Sequence, residues 1–126
     1  MKKEERFKEI THGFEFLSRN TCVEDPYVVF ENPKTLKFVQ FSLSSRGILC
    51  DIPLIELSKD EESGIRQIME EEATMDSRTG EKISYQRVFE QDEIEQAFEM
   101  LEMVFTEVFK LPESYSLRTE RGYLMQ

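Results

Sequence analysis

Apolar residues recur at intervals of three and four in two stretches of the chain. In residues 2–18 the series is Phe7, Ile10, Phe14 and Leu17; in residues 91–110 it is Ile94, Ala97, Phe98, Leu101, Val104, Phe105 and Val108. Such spacing places these side chains on one face of a helix. It predicts two amphipathic helices, the second ended by Pro112. Gly13 weakens the first helix by about 1 kcal/mol relative to alanine and indicates a close approach by another element.

Between these helices, apolar residues recur at every second position. Tyr27–Phe30 is rich in β-branched and aromatic residues, and residues 36–43 and 48–54 follow it after short turns at residues 32–34 and 44–47. Alternation and turn residues of this kind are typical of strands joined by tight connections. The pattern predicts a three-stranded antiparallel meander.

The residue pattern after the meander predicts a helix and a second hairpin. Ser58 and Glu61 have the spacing of a capping box, so a helix is expected to begin at Lys59. Alternating residues in 82–89 predict a strand that pairs with residues 70–75. A helix continued through residues 70–72 is the competing interpretation, and both remain open.

The order of these elements predicts the fold class. It reads α-β-β-β-α-β-β-α, which indicates an α+β domain with an antiparallel sheet of about five strands and helices at both ends. We expect one domain over residues 1–111. Residues 112–126 are polar with scattered apolar side chains, and they are predicted to form a loosely packed C-terminal tail.

The meander is apolar on both of its faces. In the first strand, Val28 and Phe30 are predicted on one face and Tyr27 and Val29 on the other. In the second strand, one face is predicted to carry Val39, Phe41 and Leu43, and the other Leu36 and Phe38. An antiparallel sheet with one solvated face normally alternates between apolar and polar residues. Either helices cover both faces, or another chain covers one, and the two explanations carry equal weight. Tyr27, Val29 and Phe38 are therefore the predicted protein-binding residues.

The charge of the chain limits its partners. Twenty-six acidic residues against sixteen basic ones give a net charge of −10. Nucleic acids and anionic membranes are poor partners for such a chain, and a basic protein or peptide is the better electrostatic match. The sequence shows no secretory leader and no apolar run long enough to span a bilayer. Cys22 and Cys50 lack metal-binding spacing, and reduced thiols in a cytoplasmic protein are expected.

A search for catalytic or metal chemistry finds no pattern that supports it. The only histidine, His12, lies within the first predicted helix, and a Cys–His pair with Cys22 or Cys50 would depend on tertiary folding. The acidic runs 60–62 and 70–72 place consecutive carboxylates in different directions. The five glycines form no phosphate-binding pattern. We expect no catalytic residue, cofactor or metal, although an enzyme or ligand binder of unrecognised type stays open.

The element order, the acidic composition with a pI near 4.7 and the amphipathic C-terminal helix resemble the type III secretion chaperone-like fold. The resemblance covers most of residues 2–110 and includes no sequence motif. It implies a homodimer that holds a partly unfolded client along apolar surface patches. The leading hypothesis is a non-catalytic protein-binding domain of chaperone or adaptor character. The main alternative is an acidic immunity or antitoxin-like inhibitor of a basic protein.

Overall fold

The computed structural model describes residues 1–21, 25–69, 74–75 and 77–123. They form an antiparallel sheet with helices packed on one face, and the predicted α+β class and element order are confirmed. The helices are α1 (Lys3–Arg19), α2 (Lys59–Met69) and α3 (Ile94–Met103), which continues into a π-helical turn (Val104–Val108). The strands are β1 (Pro26–Glu31), β2 (Phe38–Ser44), β3 (Gly47–Pro53), β4 (Thr74–Met75), β5 (Lys82–Phe89) and β6 (Arg118–Tyr123).

The sheet has six strands in the order β4-β5-β3-β2-β1-β6. The predicted meander β1-β2-β3 lies at its centre, and every neighbouring pair is antiparallel. The predicted second hairpin pairs β4 with β5 through Thr74 and Met75. Residues 70–73, on which the choice between helix and strand depends, lie outside the described residues.

Alternate residues of the strands form the core against the helices. The fully buried ones in the meander are Val28, Phe30, Val39, Phe41, Ile48, Cys50 and Ile52. The residues between them are partly exposed on the opposite face. Phe41 lies beneath α1, where its ring centroid is 5.4 Å from that of Phe14. Of the two explanations for the apolar meander, coverage of both faces by helices is therefore wrong for the described residues.

Helix α1 follows the predicted stripe, with Ile10, Phe14 and Leu17 buried. Gly13 is also buried because the helix passes close to β1. A Cβ atom added there would lie 2.8 Å from Cζ of Phe30, closer than nonbonded carbons normally approach. The expectation that Gly13 permits a close approach is confirmed.

The predicted capping box starts α2. The Ser58 amide donates to the Glu61 carboxylate at 2.9 Å, and the Glu61 amide donates to the Ser58 hydroxyl at 3.1 Å. Glu61 also accepts a hydrogen bond from the ammonium group of Lys37 at 3.3 Å. Partial burial acts to raise the pKa of Glu61, but the hydrogen bonds from Ser58 and Lys37 outweigh it, and the pKa lies below its ordinary value of 4.5.

The predicted helix over residues 91–110 is only partly regular. It begins at Ile94, and its last turn is π-helical, with the Phe109 amide donating to the carbonyl of Val104 at 2.9 Å. The apolar stripe could not reveal this change, because a single wide turn leaves the same residues facing the core. Val104, Phe105 and Val108 are all buried there.

The prediction of a loosely packed tail after residue 111 is wrong for its described part. Residues 118–123 form β6, which pairs with β1 from Pro26 to Glu31, and Tyr115 and Leu117 are buried. Strand β6 has the sequence RTERGY, with three charged residues and no apolar alternation, so its own pattern does not indicate a strand. Its pairing partner lies roughly ninety residues earlier, and only the folded chain brings the two together.

The predicted start of the second strand at Leu36 is also wrong. Leu36 lies in the turn between β1 and β2 with a φ angle of 63°, and the strand begins at Phe38. Asn32 organises this turn, because its side-chain oxygen accepts hydrogen bonds from the amides of Lys34 and Thr35 at 3.2 and 2.9 Å.

Candidate functional site

The face of the sheet opposite the helices carries the three predicted binding residues. We call it the open face; at its centre are Tyr27, Val29 and Glu31 of β1, Phe38 and Gln40 of β2, Asp51 of β3 and Glu120 of β6. The strand register sets Val29 between Gln40 and Glu120, and Glu31 opposite Phe38. The register places Tyr27, Val29 and Phe38 on the same face of the sheet, and their binding role stays a prediction.

A concavity on the open face brings these residues together. It has a volume of about 380 Å³ and is lined by Tyr27, Val29, Glu31, Phe38, Gln40 and Glu120. We call it the sheet groove. Tyr27 and Phe38 lie at its two ends, because the register separates their pairs by four residues, or about 13 Å along a strand. Val29 lies between them.

Gly122 of β6 fixes the position of Tyr27. The two residues are paired across the strands, and a Cβ atom on Gly122 would lie 2.6 Å from the Tyr27 hydroxyl oxygen. The tyrosine ring therefore occupies the space above the glycine backbone. An aromatic residue that covers a glycine on the adjacent strand is a recurrent way to stabilise a sheet edge.

Three carboxylates surround the apolar centre of the open face. Glu31 accepts a hydrogen bond from the guanidinium of Arg118, and Asp51 accepts one from the amide group of Gln86 at 2.9 Å. Glu120 is exposed, and its carboxylate makes no hydrogen bond or ion pair with any residue that the structure describes. The negative charge of Glu120 is thus available to a ligand in the sheet groove.

A second apolar surface continues the open face at one end. Leu36 and Ile55 are 60% and 77% exposed, and with Phe38 they line a cavity of about 140 Å³. We call these three residues the end patch. Leu36 and the neighbouring loop residue Glu56 both have positive φ angles, of 63° and 67°. Such conformations are unfavourable for residues with side chains.

A buried ionic cluster joins the two ends of the chain on the helix side. Arg6 is 2% exposed and binds the Glu102 carboxylate through two nitrogens, at 2.9 and 3.1 Å. It also donates to the carbonyl oxygens of Met1 and Tyr115, and its guanidinium lies 4.0 Å from the centroid of the Tyr115 ring. Each of these groups contacts Arg6, so the cluster links α1 to α3 and to the segment before β6.

Tyr115 completes this cluster with its hydroxyl group, which donates to the carboxylate of Glu102. Burial, together with this hydrogen bond and the charge of Glu102, raises the pKa of Tyr115, so the phenol stays protonated. The cluster was not predicted from the sequence. Arg6 belongs to a run of charged residues that all look solvated, and no local pattern shows that one of them is buried.

The residues considered for chemistry lie apart from one another. His12 is exposed on α1, whereas Cys50 is fully buried in β3, so the two do not form a pair. Burial, with the negative charge of Asp51 adding to it, raises the pKa of the Cys50 thiol well above its usual value. A thiol in this environment is a poor nucleophile. Cys22 lies outside the described residues.

The acidic run 60–62 has structural partners. Glu61 belongs to the capping box, and Glu62 lies 3.8 Å from the ammonium group of Lys82. The other run, 70–72, lies outside the described residues. Over the described ranges, no three His, Cys, Asp or Glu side chains are grouped so that they could hold a metal ion.

Comparisons with protein-family models, with curated proteins and with solved structures found no match for this chain. Among the helices described above, none is long and apolar enough to cross a membrane. The open face is the surface on which Tyr27, Val29 and Phe38 lie together.

Proposed function

We propose that this chain is a non-catalytic protein-binding domain, of chaperone or adaptor character, that holds a partner polypeptide on its open face. The observation that carries this proposal is the position of Tyr27, Val29 and Phe38. They line one groove on the face of the sheet that the chain's own helices leave uncovered. Polar residues would be expected there if the face were only solvated.

The composition of the open face suits a protein interface. Apolar and aromatic side chains lie at its centre, and Glu31, Asp51 and Glu120 surround them, which matches the usual arrangement of an apolar core and a polar rim. Because Phe38 lines both concavities, the sheet groove and the end patch form one continuous surface. A partner could therefore extend from Tyr27 to Ile55.

The homodimer that we also propose would use a different part of the molecule. In the described part of the sheet, β6 is bonded to β1 on one side only. Pairing with β6 of a second copy would satisfy its remaining backbone groups and leave the open face free. Sedimentation equilibrium over a concentration series is the test. A mass that stays at one chain at all concentrations would contradict the dimer.

An acidic inhibitor of a basic protein is the second candidate, favoured by the carboxylate of Glu120, for which the described part of the chain supplies no partner. Such an inhibitor binds a folded target and depends on charge for rapid association. A chaperone instead binds a partly unfolded client through apolar contacts. An association rate that falls steeply with added salt would favour the inhibitor, and preferential binding of unfolded over folded partner would favour the chaperone.

Photo-crosslinking in the native cell tests the proposed binding surface. A photoreactive amino acid is placed at Gln40, in the sheet groove, and at Glu95, an exposed residue of α3, as the matched control. We expect discrete protein adducts from position 40 and none of the same mass from position 95. Phe38→Asp should remove these adducts, because it places a charge in the apolar centre. Adducts of equal yield from both positions would refute the proposal.

A further inference from the structure

The sheet groove combines aromatic, aliphatic and acidic side chains in one concavity. We propose that it binds an arginine side chain of the partner polypeptide, with the guanidinium group at Glu120 and the aliphatic stem along Val29. This inference rests on the proposed function, because it specifies which side chain the open face receives. It identifies the partner as a basic segment.

The charges of the groove favour a cation. Glu120 has no partner in the described part of the chain, and it lies directly opposite Val29 in the strand register. At the end of the groove, Glu31 already binds a guanidinium, that of Arg118. The net charge of −10 adds a long-range attraction for basic segments.

The aromatic side chains favour the planar guanidinium in particular. Arginine stacks on aromatic rings and binds carboxylates through two parallel hydrogen bonds. The chain uses the same combination internally, where Arg6 contacts the ring of Tyr115 and both oxygens of Glu102. In the sheet groove the corresponding groups are Tyr27 and Glu120, because the Tyr27 ring lies over Gly122, two residues from Glu120 on β6.

Other occupants of the groove are less favourable. An apolar side chain would remove water from the carboxylate of Glu120 without giving it a hydrogen bond, which costs free energy. A second copy docked face to face would bring the carboxylates of Glu31, Asp51 and Glu120 against the same three groups. Repulsion between like charges disfavours that interface.

Titration of the isotope-labelled full-length chain with two peptides, followed by NMR, tests the inference. The probes are acetyl-Val-Arg-Val-amide and acetyl-Val-citrulline-Val-amide, which have nearly the same shape and differ in charge. We expect the arginine peptide to shift the amide signals of Val29, Phe38 and Glu120. It should bind at least about fivefold more tightly than the citrulline peptide. Glu120→Gln should abolish that difference, whereas Glu113→Gln, an exposed control away from the groove, should preserve it.

The possible results separate the two proposals. Equal binding of both peptides at the sheet groove, or an unchanged preference in Glu120→Gln, would overturn the arginine inference and leave the open face as a binding surface. Shifts confined to other parts of the molecule, or no shifts with either peptide, would overturn both proposals. Signals that move at the groove only with arginine would support both.

Discussion

At the scale of single residues, Arg6 shows how a charged side chain can hold distant segments together. It binds Glu102 of α3 and the backbone of Met1 and Tyr115, so one guanidinium joins the first helix, the last helix and the segment before β6. Removing one member of a buried pair leaves the other without compensation for its lost hydration, which is why such losses are large.

We predict that Arg6→Met lowers the free energy of unfolding by about 3 kcal/mol. The value lies at the low end for a buried pair, because the Glu102 side chain is 15% exposed and keeps some contact with water. Urea unfolding at neutral pH measures it. Lys3→Met, at an exposed position of the same helix, should change the value by no more than about 0.5 kcal/mol. Equal effects of the two substitutions would show that the cluster contributes little.

Gly13 gives a second prediction, in which two effects oppose each other. Alanine raises helix propensity by about 1 kcal/mol. However, its Cβ atom would lie 2.8 Å from the Phe30 ring and 3.1 Å from Val28, and overpacking of a core costs about 1–3 kcal/mol. We expect Gly13→Ala to be destabilising in urea unfolding, by up to about 2 kcal/mol. His12→Ala, at the adjacent exposed position, should be neutral or stabilising, and a stabilising Gly13→Ala would contradict the close packing.

At the scale of elements, the sequence predicts the helices and strands that depend on local patterns. The apolar stripe of α1, the capping box of α2 and the alternation in β1 and β3 each contain enough information in adjacent residues. Alternation also places Tyr27 and Val29 on the same face of β1, whereas their common face with Phe38 follows from the pairing of β1 with β2. The strand β6 and the π-helical turn were missed, because pairing with a strand distant in the chain and a change of helix type leave no local pattern.

The candidate site likewise combines residues that local sequence patterns predict with residues that they do not. Its aromatic and aliphatic residues come from strands whose alternation is visible in the sequence. Glu120 and Gly122 belong to β6, so the acidic wall of the sheet groove and the support of Tyr27 could not be predicted. Ile55 lies in the loop before α2, where the sequence has no helical or strand periodicity, so the cavity that it lines together with Leu36 could not be predicted either.

The capping box of α2 gives the prediction at this scale. Glu61 has a lowered pKa in the folded chain, so its carboxylate contributes stability above the ordinary value of 4.5, and this contribution is lost as the pH falls through the lowered value. Glu61→Ala should cost about 1 kcal/mol at pH 7 in urea unfolding. The difference from the parent chain should shrink below about pH 4. Glu113→Ala, at an exposed position, should cost little at any pH, and a pH-independent cost at Glu61 would contradict the assignment.

At the scale of the whole molecule, the meander lies at the centre of the sheet, between strands that come later in the chain. Strands β5 and β4 extend it on one side and β6 on the other, so the first half of the chain forms the centre and the second half its flanks. All the described helices pack on one face. Over the described residues, one layer of helices therefore covers the core, and the opposite face of the sheet, which carries Tyr27, Val29 and Phe38, is left without a helix.

The accessibility of the Cys50 thiol tests whether the helices cover the sheet, because this thiol is fully buried in β3, between β2 and β5. A thiol reagent can reach it only after the sheet separates from the helices, and its raised pKa lowers its reactivity further.

In a Cys22→Ser variant Cys50 is the only thiol, and we predict that Ellman's reagent labels it at least about a thousandfold more slowly in the native chain than in denaturant. As a control, Ser45→Cys in a chain without the two natural cysteines places a thiol in the exposed turn between β2 and β3, where labelling should be fast. Comparable rates at positions 45 and 50 would mean that the centre of the sheet is accessible and that the core described above is wrong.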